Sequence, residues 1–455
     1  MKRRQFLNHA ARAAAAVAGS HIANNMLAFP AINRAKAASR PNVLLVMVDQ
    51  MREFQWFPDQ ATLASKLPNI MALRDESVKF MRCYTAASMC EPSRASLTTG
   101  LYAHQHWCLI TQTSHLHPDF PTYGDFLRAQ GYDTHWFGKW HLSSDTSDLN
   151  PYGFTGNIVN DPTGAPAQGQ NRDPQIAQEF AAWLPNAPTD KTWSTTVSFV
   201  NPHDIMWYPR FTEAIPQQSN PPKVFTGTPA NFETPTDLLN RNKPTLQRAS
   251  QTTAQQGFGA MRYNGAGYEQ EWSEFLDLYL LLQQMVDEQV GVVLNALKNS
   301  VHKDNTIVVF FADHGEYCGS HGMRGKGAAA YEESIRVPFC IKDPTGQYAV
   351  NPTILRNQLV NSVDLAPFLL TIGSNGNAWR NDPTYAHLKN RLDMAAICQN
   401  ASAPGRSYLL HTTDEPGYEE APLGPLGGRT SQPCHRLPHR AGQIGHLQSL
   451  EDQYR

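Results

Sequence analysis

Cys90 opens a run that continues through Pro92, Ser93 and Arg94 and closes with Thr99 and Gly100. Proline suits a first helical position, where its missing N–H costs nothing, so Cys90 is expected at the N-terminus of a short helix. Unpaired backbone N–H groups and the positive end of the dipole would favour a thiolate or a bound anion there. Arg94, one turn further on, carries a fork of donors suited to a tetrahedral oxyanion, and Gly100 is the expected C-cap. Two other pairs, Asp49-Gln50 and Asp313-His314, supply two carboxylates, an amide oxygen and an imidazole. Three of those four offer oxygen, which favours calcium or magnesium over zinc. Lys139, His141, His203 and Lys326 add positive charge and titratable nitrogen. Taken singly, each would be an ordinary solvated or satisfied residue.

These side chains can act together only if their segments fold to one place. Residues 40–50 hold a continuous apolar run ending in Asp49-Gln50, the pattern of a strand buried on both faces. The stretch 131–142 reads as a second strand ending in Lys139 and His141. Residues 192–200, rich in β-branched and aromatic types, lead into Asn201, Pro202 and His203, and 305–311 lead into Asp313-His314. Four strands that each end in a polar cluster would converge beyond the carboxyl edge of a parallel sheet. Leu278, Leu282, Met285, Val286, Val293 and Leu297 predict a long helix before the fourth strand, 67–77 a shorter one, and 360–372 another. Alternating strands and helices predict a doubly wound α/β domain. The stretches 143–190 and 201–270, rich in Pro, Gly, Asn and Gln, are expected to be long loops or covers that select substrate. Trp56, Phe57, Trp107, Trp207 and Tyr208 are candidates for lining a pocket.

The chain as a whole has 455 residues and a formal net charge of −2, which gives no electrostatic case for nucleic acid. No apolar run approaches a membrane span. Seven cysteines (83, 90, 108, 318, 340, 398 and 434) include no CxxC pair, so neither a zinc ribbon nor a thioredoxin site is expected. At the N-terminus, Arg3 and Arg4 with Phe6 and Leu7 precede an Ala-rich run and a small-residue cleavage site at Ala35–Ala37. This resembles a twin-arginine export signal over 1–37, which implies a periplasmic or secreted protein. The tail from about residue 424 lacks any alternation and reads as irregular or aberrant.

The pattern CxPSRxxxxTG, carried by Cys90, Pro92, Ser93, Arg94, Thr99 and Gly100, resembles the signature of the formylglycine-dependent sulfatases. Gly138, Lys139, Trp140, His141 and Leu142 resemble that family's GKWHL. Asn201, Pro202 and His203, and then Gly325, Lys326 and Gly327, resemble two further family segments in the family's order. The resemblance implies an alkaline phosphatase-like fold: a large, mostly parallel sheet flanked by helices over 38–372, then a smaller α+β part over 373–455. In that smaller part only 407–411 resembles a family strand. It also implies that a sulfatase-maturing enzyme converts Cys90 to formylglycine. Asp49, Gln50, Asp313, His314 and residue 90 would hold one divalent metal, Ca2+ first, with Mg2+ or Mn2+ as alternatives.

By the same resemblance Lys139 and Lys326 bind the sulfate, His141 lies beside the nucleophile, and His203 or His141 moves the proton. A hydroxyl of the hydrated aldehyde attacks sulfur, and the second hydroxyl then collapses to release sulfate. Gln50 stands where many members have Asp, which makes the metal set more like that of choline sulfatases and phosphonate monoester hydrolases. The expected activity is therefore hydrolysis of sulfate monoesters of a small molecule or carbohydrate. Phosphonate monoesters or phosphodiesters are one alternative, and non-catalytic binding of sulfated glycans is another.

Overall fold

A computed structural model describes residues 40–413 apart from 58, 157–160, 212–220 and 328. The expected export signal over 1–37 and the tail from 424 lie outside the described residues. Eight strands are present among them: β1 (Asn42–Asp49), β2 (Val78–Lys79), β3 (Cys83–Tyr84), β4 (Asp133–Gly138), β5 (Trp193–Pro202), β6 (Thr306–Ala312), β7 (Phe339–Lys342) and β8 (Val360–Asn361). Six form one sheet in the order β2-β7-β6-β1-β5-β4, and β3 and β8 pair separately. The four strands β6, β1, β5 and β4 run parallel; at one side β7 runs antiparallel to β6, and β2 antiparallel to β7. Every residue of β1, β5 and β6 is buried, because helices cover both faces.

The register decides what meets at the carboxyl edge. Val48 of β1 lies opposite Ala312 of β6, so Asp49 and Asp313 emerge side by side. Asp49 lies opposite Pro202 of β5, which brings His203 beside it, and Gly138 of β4 lies opposite Ser198. The sheet therefore delivers Asp49, Lys139, His203 and Asp313 to one rim.

Helix α1 (Cys90–Thr99) begins at Cys90, so Pro92 sits later in the first turn than its expected first position; no N–H there has a helical partner, and proline is tolerated equally. Gly100 closes α1 in the left-handed region at φ 72°, and its N–H bonds Ser96. All ten residues of α1 are buried. The loops expected over 143–190 and 201–270 prove partly helical: α2 (Gln168–Trp183) lies in the first, and 235–240 and 245–258 are helices in the second. Only Ile176, Ala177 and Phe180 give α2 a buried apolar stripe, too little to show as periodicity. The expected long helix is α3 (Tyr268–Lys298), packed against β5 and α2. Residues 360–372 divide between β8 and α4 (Leu365–Gly373), with a 3₁₀ turn between them. Segment 407–411 forms no strand; it is tied down by single bonds, such as Asn361 Nδ2 to Leu410 O at 3.1 Å.

Candidate active site

The strand ends and the mouth of α1 bring the anticipated residues into one buried cluster. Cys90 Sγ lies 3.1 Å from His314 Nε2, 3.6 Å from Asp49 Oδ1, 3.2 Å from Lys326 Nζ and 3.9 Å from Lys139 Nζ. Lys139 Nζ is 2.7 Å from Asp49 Oδ2. The Arg94 fork, expected to address an oxyanion, is spent on protein groups: Nη2 donates to Asp49 Oδ2 and Nε to Asp313 Oδ2, each at 2.9 Å. Its Nη1 donates to Lys139 O and Ser198 Oγ. Arg94 thus locks the carboxylates of β1 and β6 and the end of β4 to α1.

His203 is placed by contact with its neighbours. A Cβ on Gly164, which lies at φ +108°, would stand 2.6 Å from the His203 ring and 3.0 Å from Lys139 Nζ, so both side chains press on that glycine. Lys326 Nζ approaches Met206 Sδ at 3.6 Å, three residues on from His203 in the same 3₁₀ turn. His141 has φ 50°, a left-handed conformation rare for histidine. Asp161 holds it there, accepting from Trp140 N and His141 N at 2.8 Å each. Gln50 is likewise left-handed at φ 67°, fixed by its N–H to Asp313 Oδ1 and by Tyr279 Oη, which donates to Gln50 O at 2.7 Å. Backbone strain of this kind persists only where the surroundings over-determine it.

Sequence reasoning did not single out Asp161, Gly164 or Glu316. Glu316, fully buried, accepts from Gln50 Nε2 at 2.5 Å, Cys318 N at 3.1 Å and Gly325 N. Its signal was an acid two residues beyond Asp313-His314 at a strand end. Nothing in the spacing of Asp161 or Gly164 marks them.

Burial would raise the Asp49 carboxyl, but Lys139, His203 and Arg94 outweigh it and hold it well below the usual range. Its neighbour Asp313 is raised by burial and by the Asp49 charge, against Arg94 and Lys139. Burial, followed by Lys326, keeps His314 neutral. His314 Nδ1 donates to Gly315 O at 3.0 Å, so the Nε2 lone pair faces Cys90. Burial and the nearby lysines also hold His203 and His141 well below the ordinary imidazole range.

One ligand atom each from Asp49, Cys90, Asp313 and His314 lies within 4.8 Å of the others, which is about twice a calcium–oxygen distance of ~2.4 Å. Lys326 Nζ, 3.2 Å from Cys90 Sγ, also donates to Gln50 Oε1 at 2.9 Å, which sets that amide oxygen beside the group. The spacing and the oxygen-rich donor set fit a divalent cation. All six described cysteines, Cys90 among them, are buried and unbridged.

A cavity of about 910 Å3 is lined by Arg52, Trp56, Phe225, Asn231, His321 and Glu333, and by none of the residues around Cys90. Trp56 stacks on Phe225 at 4.9 Å, Phe57 and Trp207 are buried, and Trp107 stands in solvent.

Comparison with known proteins gives this arrangement a family. An uncharacterized sulfatase, YidJ, of Escherichia coli is 26% identical over 73% of this chain and 68% of its own length. The choline-sulfatase of Rhizobium meliloti is 26% identical over 67% of this chain, which spans 63% of that relative. Among solved structures, the phosphonate monoester hydrolase of Silicibacter pomeroyi shares the fold with a TM-score of 0.58 at 20% identity, over 81% of this chain and 78% of that one. The family model described as Sulfatase matches residues 41–374, and the chain is a member of the sulfatase family.

Proposed function

We propose that this chain hydrolyses sulfate monoesters at the centre built around Cys90. The observation that carries the reading is the ring of groups about one side chain: Asp49 and His314 within 3.6 Å of Cys90 Sγ, and Lys326 and Lys139 within 3.9 Å. A sulfate ester resists attack because its oxygens are negative, and Lys139 and Lys326 supply the opposite charge inside a water-poor site. Asp49, Gln50, Asp313, His314 and residue 90 would hold a divalent cation, Ca2+ by the hardness of most donors, which polarises a sulfate oxygen when bound. Residue 90, converted to formylglycine by a maturing enzyme, supplies the nucleophilic hydroxyl. Arg94 positions both carboxylates. An anion seated between the lysines offsets their charge and returns His141 and His203 toward their ordinary range, so either can pass a proton to the departing alcohol.

The substrate is a sulfated small molecule or carbohydrate. Gln50 and His314 in the cation set favour a second reading, in which phosphonate monoesters or phosphodiesters turn over at the same centre. Relative rates on an aryl sulfate and an aryl phosphonate separate the two. The division into a catalytic part over 38–372 and a smaller part over 373–455, and export to the periplasm by the twin-arginine-type leader, complete the reading.

The direct test is a mass spectrum of the Cys90 peptide from protein made alongside a maturing enzyme, with turnover of an aryl sulfate. An aldehyde at residue 90 is expected, and Cys90→Ala should lower kcat by roughly three orders of magnitude or more. Wild-type turnover in that variant would overturn the proposal.

A further inference from the structure

An amide side chain is nearly symmetric in shape, so which end meets a ligand is set by what its neighbours can donate or accept. Gln50 is fully buried and held from both ends. On one side Lys326 Nζ, which can only donate, lies 2.9 Å from Oε1. On the other, Glu316 Oε2 accepts from Nε2 at 2.5 Å. The Glu316 carboxylate cannot turn away, because its other oxygen accepts from Cys318 N and Gly325 N. A reversed amide would set its NH2 against an ammonium and its oxygen against a carboxylate, two repulsions in place of two bonds.

We infer that Glu316 is a positioning residue that orients the Gln50 amide so that its oxygen, rather than its NH2, is presented to the cation centre of Asp49, Cys90, Asp313 and His314. The inference rests on the reading of that centre as a divalent-cation site. Glutamine at position 50 can serve a hard cation only if a neighbour behind it accepts from its NH2, as Glu316 Oε2 does. This assigns a purpose to a buried acid whose other oxygen only braces the turn between β6 and Lys326.

The variant Glu316→Gln discriminates orientation from bracing. Its amide oxygen can still accept from Cys318 N and Gly325 N, which leaves its NH2 facing Gln50 and so rewards the reversed amide. Calcium binding by the full-length chain, stripped with chelator and titrated calorimetrically with CaCl2, should weaken by roughly 10- to 100-fold. The double variant Gln50→Glu with Glu316→Gln restores a donor opposite an acceptor and offers the centre an oxygen whichever way residue 50 turns. It should recover most of the lost affinity, and should bind calcium more tightly than Gln50→Glu alone, where two carboxylates meet. Equal affinity in wild type and Glu316→Gln, or no recovery in the double variant, would overturn the inference. If Glu316→Gln does not fold, as judged by circular dichroism, the comparison of the double variant with Gln50→Glu still decides. Wild-type protein that binds no calcium, magnesium or manganese would instead remove the cation reading on which the inference stands.

Discussion

His106 lies directly under the helix that carries Cys90, and its two ring nitrogens have fixed duties. Nδ1 accepts from Cys108 N at 3.1 Å, which makes Nε2 the protonated nitrogen, donating to Ser96 Oγ of α1 at 3.0 Å. A second proton has no acceptor there, and burial pushes the imidazole down to about 3. In the unfolded chain the same group titrates near 6.5. The native state therefore refuses a proton that the unfolded state takes. The corresponding stability is present in full above pH 6.5 and drains away as pH falls toward 3, by an amount on the order of a few kcal/mol. His106→Gln should flatten the fall in unfolding free energy between pH 6.5 and 4, measured by urea titration at stepped pH; an unchanged slope would show that the acid response lies elsewhere. At this scale residue type was a good guide and conformation was not. Cys90, Asp49, Asp313, Lys139 and Lys326 were legible as an anion and cation chemistry. The left-handed backbones of Gln50 and His141, and Asp161 behind the latter, depend on contacts between distant segments and leave no local mark, whereas Glu316 was marked only by its place just beyond Asp313-His314.

Strands announce themselves by composition when both faces are buried, which is why the apolar runs of β1 and β6 were readable to within a residue or two. Helix α2 was not, since its sixteen residues carry four Gln, one Asn and Pro174 against a narrow apolar stripe, and tertiary packing, not propensity, stabilises it. The helix over 245–258 hides for the same reason: its buried positions include Gln247 and Gln251. The tight passage from β4 to Lys139 belongs to this scale as well. Gly138 sits at φ 85°, and a Cβ there would lie 2.1 Å from Ser198 O of the adjoining strand. Gly138→Ala must therefore push β4 from β5 and carry Lys139 with it. We expect a loss of about 3 kcal/mol or more in unfolding free energy, seen as a lower Tm. A variant as stable as wild type would mean the two strand ends can part without cost.

Across the whole molecule a net charge of −2 conceals a dense knot of opposite charges at one place. Arg94, Lys139 and Lys326 share one buried rim with Asp49 and Asp313, a cluster assembled from segments about 280 residues apart in sequence. A ligand that neutralises or bridges such groups binds only the folded chain, so it should stabilise it. Calcium at a hundred times its dissociation constant would add about 2.7 kcal/mol, and chelation would remove it. A Tm indifferent to calcium, magnesium and chelator alike would argue against a cation at this centre. The family likeness and the parallel core were readable from ordered motifs, whereas the short β7 and β2 at the sheet's edge were not, because four- and two-residue strands carry too little pattern.

The sealing of α1 also sets an order of events in the life of the chain. With Cys90 at zero exposure and all ten residues of its helix enclosed, no catalyst the size of a protein can reach that sulfur once the domain has closed. The conversion of residue 90 proposed above would therefore have to take place on the nascent or still-open polypeptide. On that proposal, a molecule that folds first would keep its thiol.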